Sequence, residues 1–326
     1  MDLTKVKSKV VGIDIGVATT VYAVIDLRGE IIAQQEFSTS DYPNLDSYLS
    51  VLTERIINLV EENGGYNTVR SVGVCCPSSN FLTGCIENAS NLAWKGIIPL
   101  TALMRDRLGL AVAVGNNSQC AALGEHAFGA AHGMRDFIII TLGHGLGSCI
   151  FSNNKIHLGM KGFAGEIGHT CVVPDGRECG CGHRGCLESY CAYKGVLRTA
   201  RELMDESNAP SLMRQDTHLT PMHIAEYCEQ GDALAKEVWQ RTGEMLGRGL
   251  ANYASLLNPE AIILTGNLIP AGKWLLEPTE KAFDKYVFHN IVGQTRILAS
   301  SLKDSERNVL GASVLAWQVK EYSLFL

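Results

Sequence analysis

The sequence predicts an α/β protein built as two related halves, and three observations carry that prediction. Its 326 residues exceed what one hydrophobic core usually fills, so two domains are expected. Short β-rich runs alternate with stretches of helical spacing. One local pattern also occurs twice: an apolar strand, a glycine turn, a second apolar strand and a polar turn open near Val10 and again at Phe137 (FIIITLGHGLGSCIFSNNKIHLG). A recurrence of this kind reads as internal duplication.

In order along the chain, Lys9–Asp14 (KVVGID) is an apolar run that ends at Gly16, and Thr20–Asp26 (TVYAVID) is the second. A turn at Leu27-Arg28-Gly29 leads to the third, Glu30–Ser38, and the tight turns make the three an antiparallel meander. Leu45–Asn63 has helical spacing, Ser71–Cys76 (SVGVCC) reads as a buried strand, and Leu100–Leu108 as a helix. Leu110–Val114 (LAVAV) is a strand that runs into VGNNSQCAALGE, a polar turn at Asn116-Asn117 followed by an Ala-rich helix. In the second half, residues 194–207 and 222–256 are helical by pattern, and Ala261–Leu264 (AIIL) is a buried strand before Thr265-Gly266. Val309–Val319 is an apolar helix. The expected domains are 1–117, completed by a helix from 309–326, and 118–308.

A composition of 46% hydrophobic and 19% charged residues fits a soluble globular protein, and a net charge of −6 argues against a polyanion-binding surface. The short basic group Lys5, Lys7 and Lys9 reads as a solvated tail. No segment approaches the ~18 uninterrupted apolar residues of a membrane helix. The polar start MDLTKVKSKVV runs directly into a strand, which argues against a cleaved signal peptide, and cytoplasmic residence is expected. No helix-turn-helix precedes the first strand, so direct nucleic-acid binding is not expected. Eleven cysteines in such a chain point to thiols and metal ligands rather than disulfides.

The strongest chemical signal is GEIGHTCVVPDGRECGCGHRGCLES, residues 165–189, in which His169, Cys179, Cys181 and Cys186 form H-x9-C-x-C-x4-C. Three thiolates and an imidazole satisfy tetrahedral zinc, and glycines at 180, 182 and 185 let a short loop fold around it. Such a closed site is structural, since it leaves no position for substrate. His183 lies inside the loop and could compete; His169 is preferred because it leaves the loop histidine free. Cys75, Cys76, Cys85, Cys120, Cys149, Cys171, Cys191 and Cys228 sit in apolar or isolated contexts and read as packing residues. The glycine turns of the two halves would let backbone N–H groups approach phosphate oxygens, although glycines also simply make tight hairpins.

The pattern EIGH…CGCGHRGCLE, at Glu166–His169 and Cys179–Glu188, resembles the ROK family of repressors, open reading frames and sugar kinases, and the resemblance spans nearly the whole chain. NLAWKG (91–96) is similar to the family's sugar loop and LGASVLAW (310–317) to its closing helix, while PSSNFLTG (77–84) is closest to the bacterial glucokinase branch. The resemblance implies the actin-like, ribonuclease H-like two-domain fold with an inter-domain cleft. It implies hexose contacts at Asn91, Asn116, Glu166, His169 and Glu188, with His169 orienting toward the sugar from the metal. Ser78 and Ser79 replace an expected amide–glycine pair, which puts the sugar preference in doubt. A homodimer, and a possible regulatory protein partner, are further expectations.

The same resemblance exposes departures. The family's general base is the aspartate of "NDxN", and here the letters are Asn116-Asn117-Ser118-Gln119. An amide cannot accept the hydroxyl proton that phosphoryl transfer must remove. The first phosphate loop, normally DxGGTK, reads Asp14-Ile15-Gly16-Val17-Ala18-Thr19, so Asp14 and Gly16 survive, and Thr19 or Thr20 could substitute in part for the lost hydroxyl. The second, normally LGTGIG, has His144 between Gly143 and Gly145, and the adenosine-side glycine pair is Gly266-Asn267. The expected function is a hexose-binding, catalytically impaired kinase homologue acting as a sugar sensor. The alternative is a working hexose kinase of glucokinase type that uses Mg-ATP.

Overall fold

The computed structural model describes residues 7–89 and 91–319. Its contacts divide the chain into two units. The first runs to Gly133 and takes in Leu158–Phe163 and the segment from Ser301; the second comprises Met134–His157 and Ala164–Ser300.

In the first unit, β1 (Lys9–Ile15), β2 (Thr19–Asp26) and β3 (Ile31–Ser38) form the expected meander. After α1 (Leu45–Glu62) the chain returns as β4 (Val69–Cys75), parallel to β1. The short strands β5 (Ser79–Asn80), β6 (Cys85–Glu87) and β7 (Ile97–Ile98) make a small separate sheet. Then α2 (Leu100–Leu108) leads to β8 (Ala111–Gly115), parallel to β4, and α3 (Asn117–Phe128) follows. The sheet order is β3-β2-β1-β4-β8. The helix Asp304–Gln318 lies against this sheet and against α3. Glycine makes the approach possible: a Cβ on Gly73 would fall 1.8 Å from Ala312 O, and one on Gly311 1.8 Å from Cys120 O. Because α3 packs on Asp304–Gln318, the division falls after Gly133 and not at the expected 117; positions 320–326 of the expected final helix, like Lys5, lie outside the described residues.

The second unit repeats the plan. Strands β9 (Phe137–Leu142), β10 (Leu146–Ser152) and β11 (Lys155–Ile156) form an antiparallel meander. Helices α4 (Glu188–Cys191), α5 (Tyr193–Glu206), α6 (Pro221–Glu229) and α7 (Ala233–Leu257) precede β12 (Ala261–Thr265), parallel to β9; α8 (Lys273–Tyr286) precedes β13 (Arg296–Ala299). The order β11-β10-β9-β12-β13 matches that of the first sheet. The continuous helix expected over 222–256 is broken: Gly231 takes φ +91° and Asp232 caps α7, its carboxylate accepting from Ala235 N at 3.0 Å. Among the described residues no helix is long and apolar enough to cross a membrane.

Each sheet is covered by its own apolar core. Val11, Ile13, Tyr48, Leu52 and Val74 belong to the first, and Ile138, Trp239, Leu246, Leu250 and Ile262 to the second; all are essentially solvent-free. The parallel strands β1, β4 and β8 therefore read as near-continuous apolar runs, and their carboxyl ends deliver the polar residues described next.

Candidate functional site

On the first unit, strand register places Asp14, Cys75 and Gly115 in one row across β1, β4 and β8. The chain leaves this row as Asn116 and Asn117, the start of α3. Asn116 is the N-cap: its Oδ1 accepts from Gln119 N at 2.9 Å, and Gln119 Oε1 accepts from Asn116 N at 3.1 Å, a capping box. Asn117 Oδ1 accepts a weak bond from Cys75 Sγ at 3.5 Å. Asn308 Nδ2 donates to Asp14 Oδ2 at 3.0 Å, reaching in from the helix Asp304–Gln318. Burial pushes the Asp14 carboxyl above the usual aspartate range, and its bonds to Asn308 and Cys75 only partly offset that. The sequence does not single out Asn308 and marks Cys75 only as a packing residue; the register and the helix packing bring them to Asp14.

The first glycine turn is tight, with Gly16 N donating to Thr19 O at 2.9 Å. Val17, Ala18 and Thr19 are exposed on it. Thr20 cannot supply the missing hydroxyl, because its Oγ1 is buried and bonded to Thr39 Oγ1 and Tyr48 Oη, both at 2.7 Å. Asn91 is exposed at the head of a pinned loop. Lys95 Nζ donates to Leu92 O at 2.8 Å and Ala89 O at 3.1 Å, while buried Trp94 packs its ring 4.3 Å from that of Tyr48. Ser78 has φ +57°, the left-handed region that favours glycine, and buried Ser79 donates to Cys76 O at 2.8 Å; both shape the turn.

On the second unit, Thr141 and Thr265 are register neighbours at the ends of β9 and β12. Their buried hydroxyls have no hydrogen-bond partner among the described residues, a feature visible only once the register is known. The Gly143–Gly145 turn and Gly266-Asn267 follow directly. Gly143 N donates to Gly145 O at 2.9 Å, and Gly266, at φ +104°, leaves no room for a Cβ, which would sit 2.3 Å from Leu142 O. His144 is exposed, its ring 5.4 Å from that of Tyr193.

Glu188 links this turn to the cysteine loop. Its Oε2 accepts from Leu146 N at 2.9 Å, and Cys179 Sγ donates to Oε1 at 3.8 Å. His169, Cys179, Cys181 and Cys186 converge, with all four ligand atoms within 4.8 Å of one another. His183 lies outside the group, its carbonyl accepting from Cys179 N at 2.9 Å. Gly185, at φ +78°, lies so near Val173 that a Cβ would fall 1.8 Å from its carbonyl oxygen, so the loop closes there only with glycine. Cys181 and Cys186 sulfurs are 3.7 Å apart, and Cys179 Sγ is 3.6 Å from His169 Nδ1. Tetrahedral bonding at about 2.3 Å to sulfur and about 2.0 Å to nitrogen requires separations of roughly 3.8 and 3.5 Å. The four residues therefore fit a metal ion. Glu166 is exposed on the turn before His169, and its carbonyl accepts from His169 N at 3.2 Å. Of the remaining cysteines, Cys75, Cys76, Cys120, Cys149, Cys191 and Cys228 are buried and Cys85 is half-buried. Cys171 is exposed and is not a packing residue; it lies on the cysteine loop, where its backbone bridges that of Cys186.

The glucokinase of Halalkalibacterium halodurans is 32% identical over 321 residues, 95% of this chain and 94% of that protein. The xylose repressor of Caldicellulosiruptor bescii is 26% identical over 93% of this chain and 77% of its own length. Among solved structures, a ROK family glucokinase from Streptomyces griseus in complex with glucose and AMPPNP is 31% identical and superposes with a TM-score of 0.78, covering 95% of this chain and all of the other. The fold is thus the two-domain, actin-like and ribonuclease H-like α/β fold of the ROK sugar kinases. Residues 10–319 match the ROK family, and the chain belongs to that family.

Proposed function

We propose that this protein binds a hexose and reports its presence, on a glucokinase scaffold whose phosphoryl-transfer chemistry is impaired. The observation that carries the reading is Asn117: an amide opens α3 where the family resemblance calls for a carboxylate, and it accepts from a thiol. An amide holds no proton-accepting lone pair of useful basicity, so the attacking hydroxyl keeps its proton. The branched and exposed Val17, the engaged Thr20 and His144 in the second turn weaken the nucleotide side in parallel. Asp14, Gly16, Thr19, Gly143, Gly145 and Gly266 are the residues that would still meet a nucleotide.

The sugar contacts we assign are Asn91, Asn116, Glu166, His169 and Glu188. Each offers a donor or acceptor of the kind a hydroxyl must find when it leaves water. Zinc is the ion we assign to His169, Cys179, Cys181 and Cys186; when bound it holds the loop and fixes the His169 ring. With Nδ1 turned to Cys179, Nε2 is the nitrogen left to meet a sugar oxygen.

A second reading, an active ATP-dependent hexose kinase, draws support from the 32% identity to a glucokinase over nearly its full length. Calorimetry with a hexose panel, then with Mg-ATP, separates the two. Hexose binding without sugar phosphate production is the expected result. Robust phosphorylation by the unaltered chain overturns the sensor reading.

A further inference from the structure

The second unit contains a cavity of about 720 Å³, well within the range of small-molecule sites, and none of the sugar or nucleotide residues line it. Its base is the seam between α7 and α8. Two glycines of α7 bring the helices together there: a Cβ on Gly243 would fall 2.5 Å from Pro278 Cγ, and one on Gly247 2.2 Å from Thr279 O. On either side of the seam stand cations at helical spacing, Arg241 and Arg248 on α7 and Lys281 and Lys285 on α8. Arg177 closes the far wall.

The charges are not balanced within the cavity. Buried Arg177 is neutralised by Glu202, and Arg241 pairs with Glu237 at 2.9 Å. Arg248, Lys281 and Lys285 form no ion pair among the described residues, and the only other acid on the wall is Glu244. One ring gathers two of the three: Tyr286 has Lys285 Nζ at 5.0 Å from its centroid and Arg248 Cζ at 6.0 Å. Three cations line this wall beside one aromatic ring against the single carboxylate of Glu244, with which none of them is paired, and an anion would stabilise that arrangement by charge-assisted hydrogen bonds.

We propose that this cavity binds a phosphate monoester of about hexose size. The phosphate meets Arg248, Lys281 and Lys285, and the uncharged part of the ligand lies along Tyr190 and Met245. The volume is what favours an ester over free phosphate, which would leave most of the space to water. The occupant would also touch the cysteine loop. Arg177 N donates to Tyr190 Oη at 2.9 Å, the Arg177 guanidinium lies 4.6 Å over the Tyr190 ring, and Cys179 is two residues further on.

The test is calorimetry on the full chain with glucose 6-phosphate, inorganic phosphate and glucose. Glucose 6-phosphate is expected to bind in the presence of saturating glucose. The double variant Lys281→Ala/Lys285→Ala should weaken that binding roughly tenfold or more, while Lys281→Arg/Lys285→Arg retains it. Both lysines are exposed, so the variants should melt as the parent does. Displacement of the ester by glucose would place it in the sugar site and overturn the proposal. So would equal affinity for inorganic phosphate, unchanged binding by the double alanine variant, or no binding at millimolar concentrations. A change in particle mass in that variant would instead make the patch a contact with a second copy, and would also overturn it.

Discussion

Replacing Asn117 with aspartate supplies the carboxylate that the proposed function says is missing, with almost no change in size or shape. The acceptor that meets Cys75 Sγ at 3.5 Å is preserved, so folding should change by less than about 1 kcal/mol. Two influences act on the new carboxyl. Its place in the first turn of α3 favours the charged form by about 0.3–1 kcal/mol. Asp14, which also meets the Cys75 thiol, opposes it as a like charge. Asp14 is itself pushed up by burial, so the two carboxyls share the cost of ionising. A restored general base contributes about 10²–10⁴ in rate, or roughly 3–5 kcal/mol of barrier. The assay is hexose-dependent formation of sugar phosphate from Mg-ATP, for the parent and the variant side by side. Intact mass is checked first, since deamidation of Asn117 would counterfeit the variant. A gain near the full range means only the base was missing, and a smaller one makes the turns at 16–19 and 143–147 limiting as well. Unchanged turnover in a variant that still binds Mg-ATP and hexose would refute the assignment of Asn117 to the base position, as would a parent already as fast as the variant.

Three further outcomes are expected. Removing a ligand of the cysteine cluster, as in Cys181→Ser, should release bound zinc, lower the melting temperature and weaken hexose binding about 10–100-fold, read by metal analysis and calorimetry; undiminished hexose binding in the metal-free variant would separate the loop from the sugar. Asn116→Asp keeps the capping acceptor and should leave stability intact while reducing hexose affinity, whereas Asn116→Ala should lose about 1 kcal/mol of stability as well. Asp14 has a folded-state pKa above its unfolded value, so it opposes folding increasingly as pH rises from the unfolded pKa to the folded one. Asn308 can serve an amide there equally well, so Asp14→Asn should melt higher than the parent at neutral pH, with the gap closing below pH about 4.

Much of the architecture was legible in the chain, and what escaped did so for definite reasons. Leu100–Leu108 has the bounds its spacing predicts, and the repeated strand–turn–strand units head two sheets of matching order. The break at Gly231-Asp232 was hidden because α6 and α7 carry the same apolar period on either side of it. Helix α8 was missed because Pro278 sits inside it among charged residues. Strand β13 is half-exposed, so its residues lack the apolar run that marks β12. The cysteine cluster could be read from spacing because its ligands come from one short loop. Thr141 and Thr265 could not, because 124 residues separate them and only the β9–β12 register makes them neighbours.

Asn116 shows why a site can be half legible. Asparagine caps helices for the same reason it recognises hydroxyls: it carries an acceptor and two donors on a short, stiff stem. A polar turn before an Ala-rich helix therefore predicts a cap and a sugar contact with the same letter, and no count of residues separates them. The structure divides the side chain instead. Oδ1 already accepts from Gln119 N, and the two hydrogens of Nδ2 are the donors best placed to meet a ligand. In the proposed contact Nδ2 donates to a sugar oxygen, and a carboxylate at position 116 would cap equally well and bind less. The proposed contact therefore predicts that stability and affinity move independently at this one residue, which neither a pure cap nor a pure contact would allow.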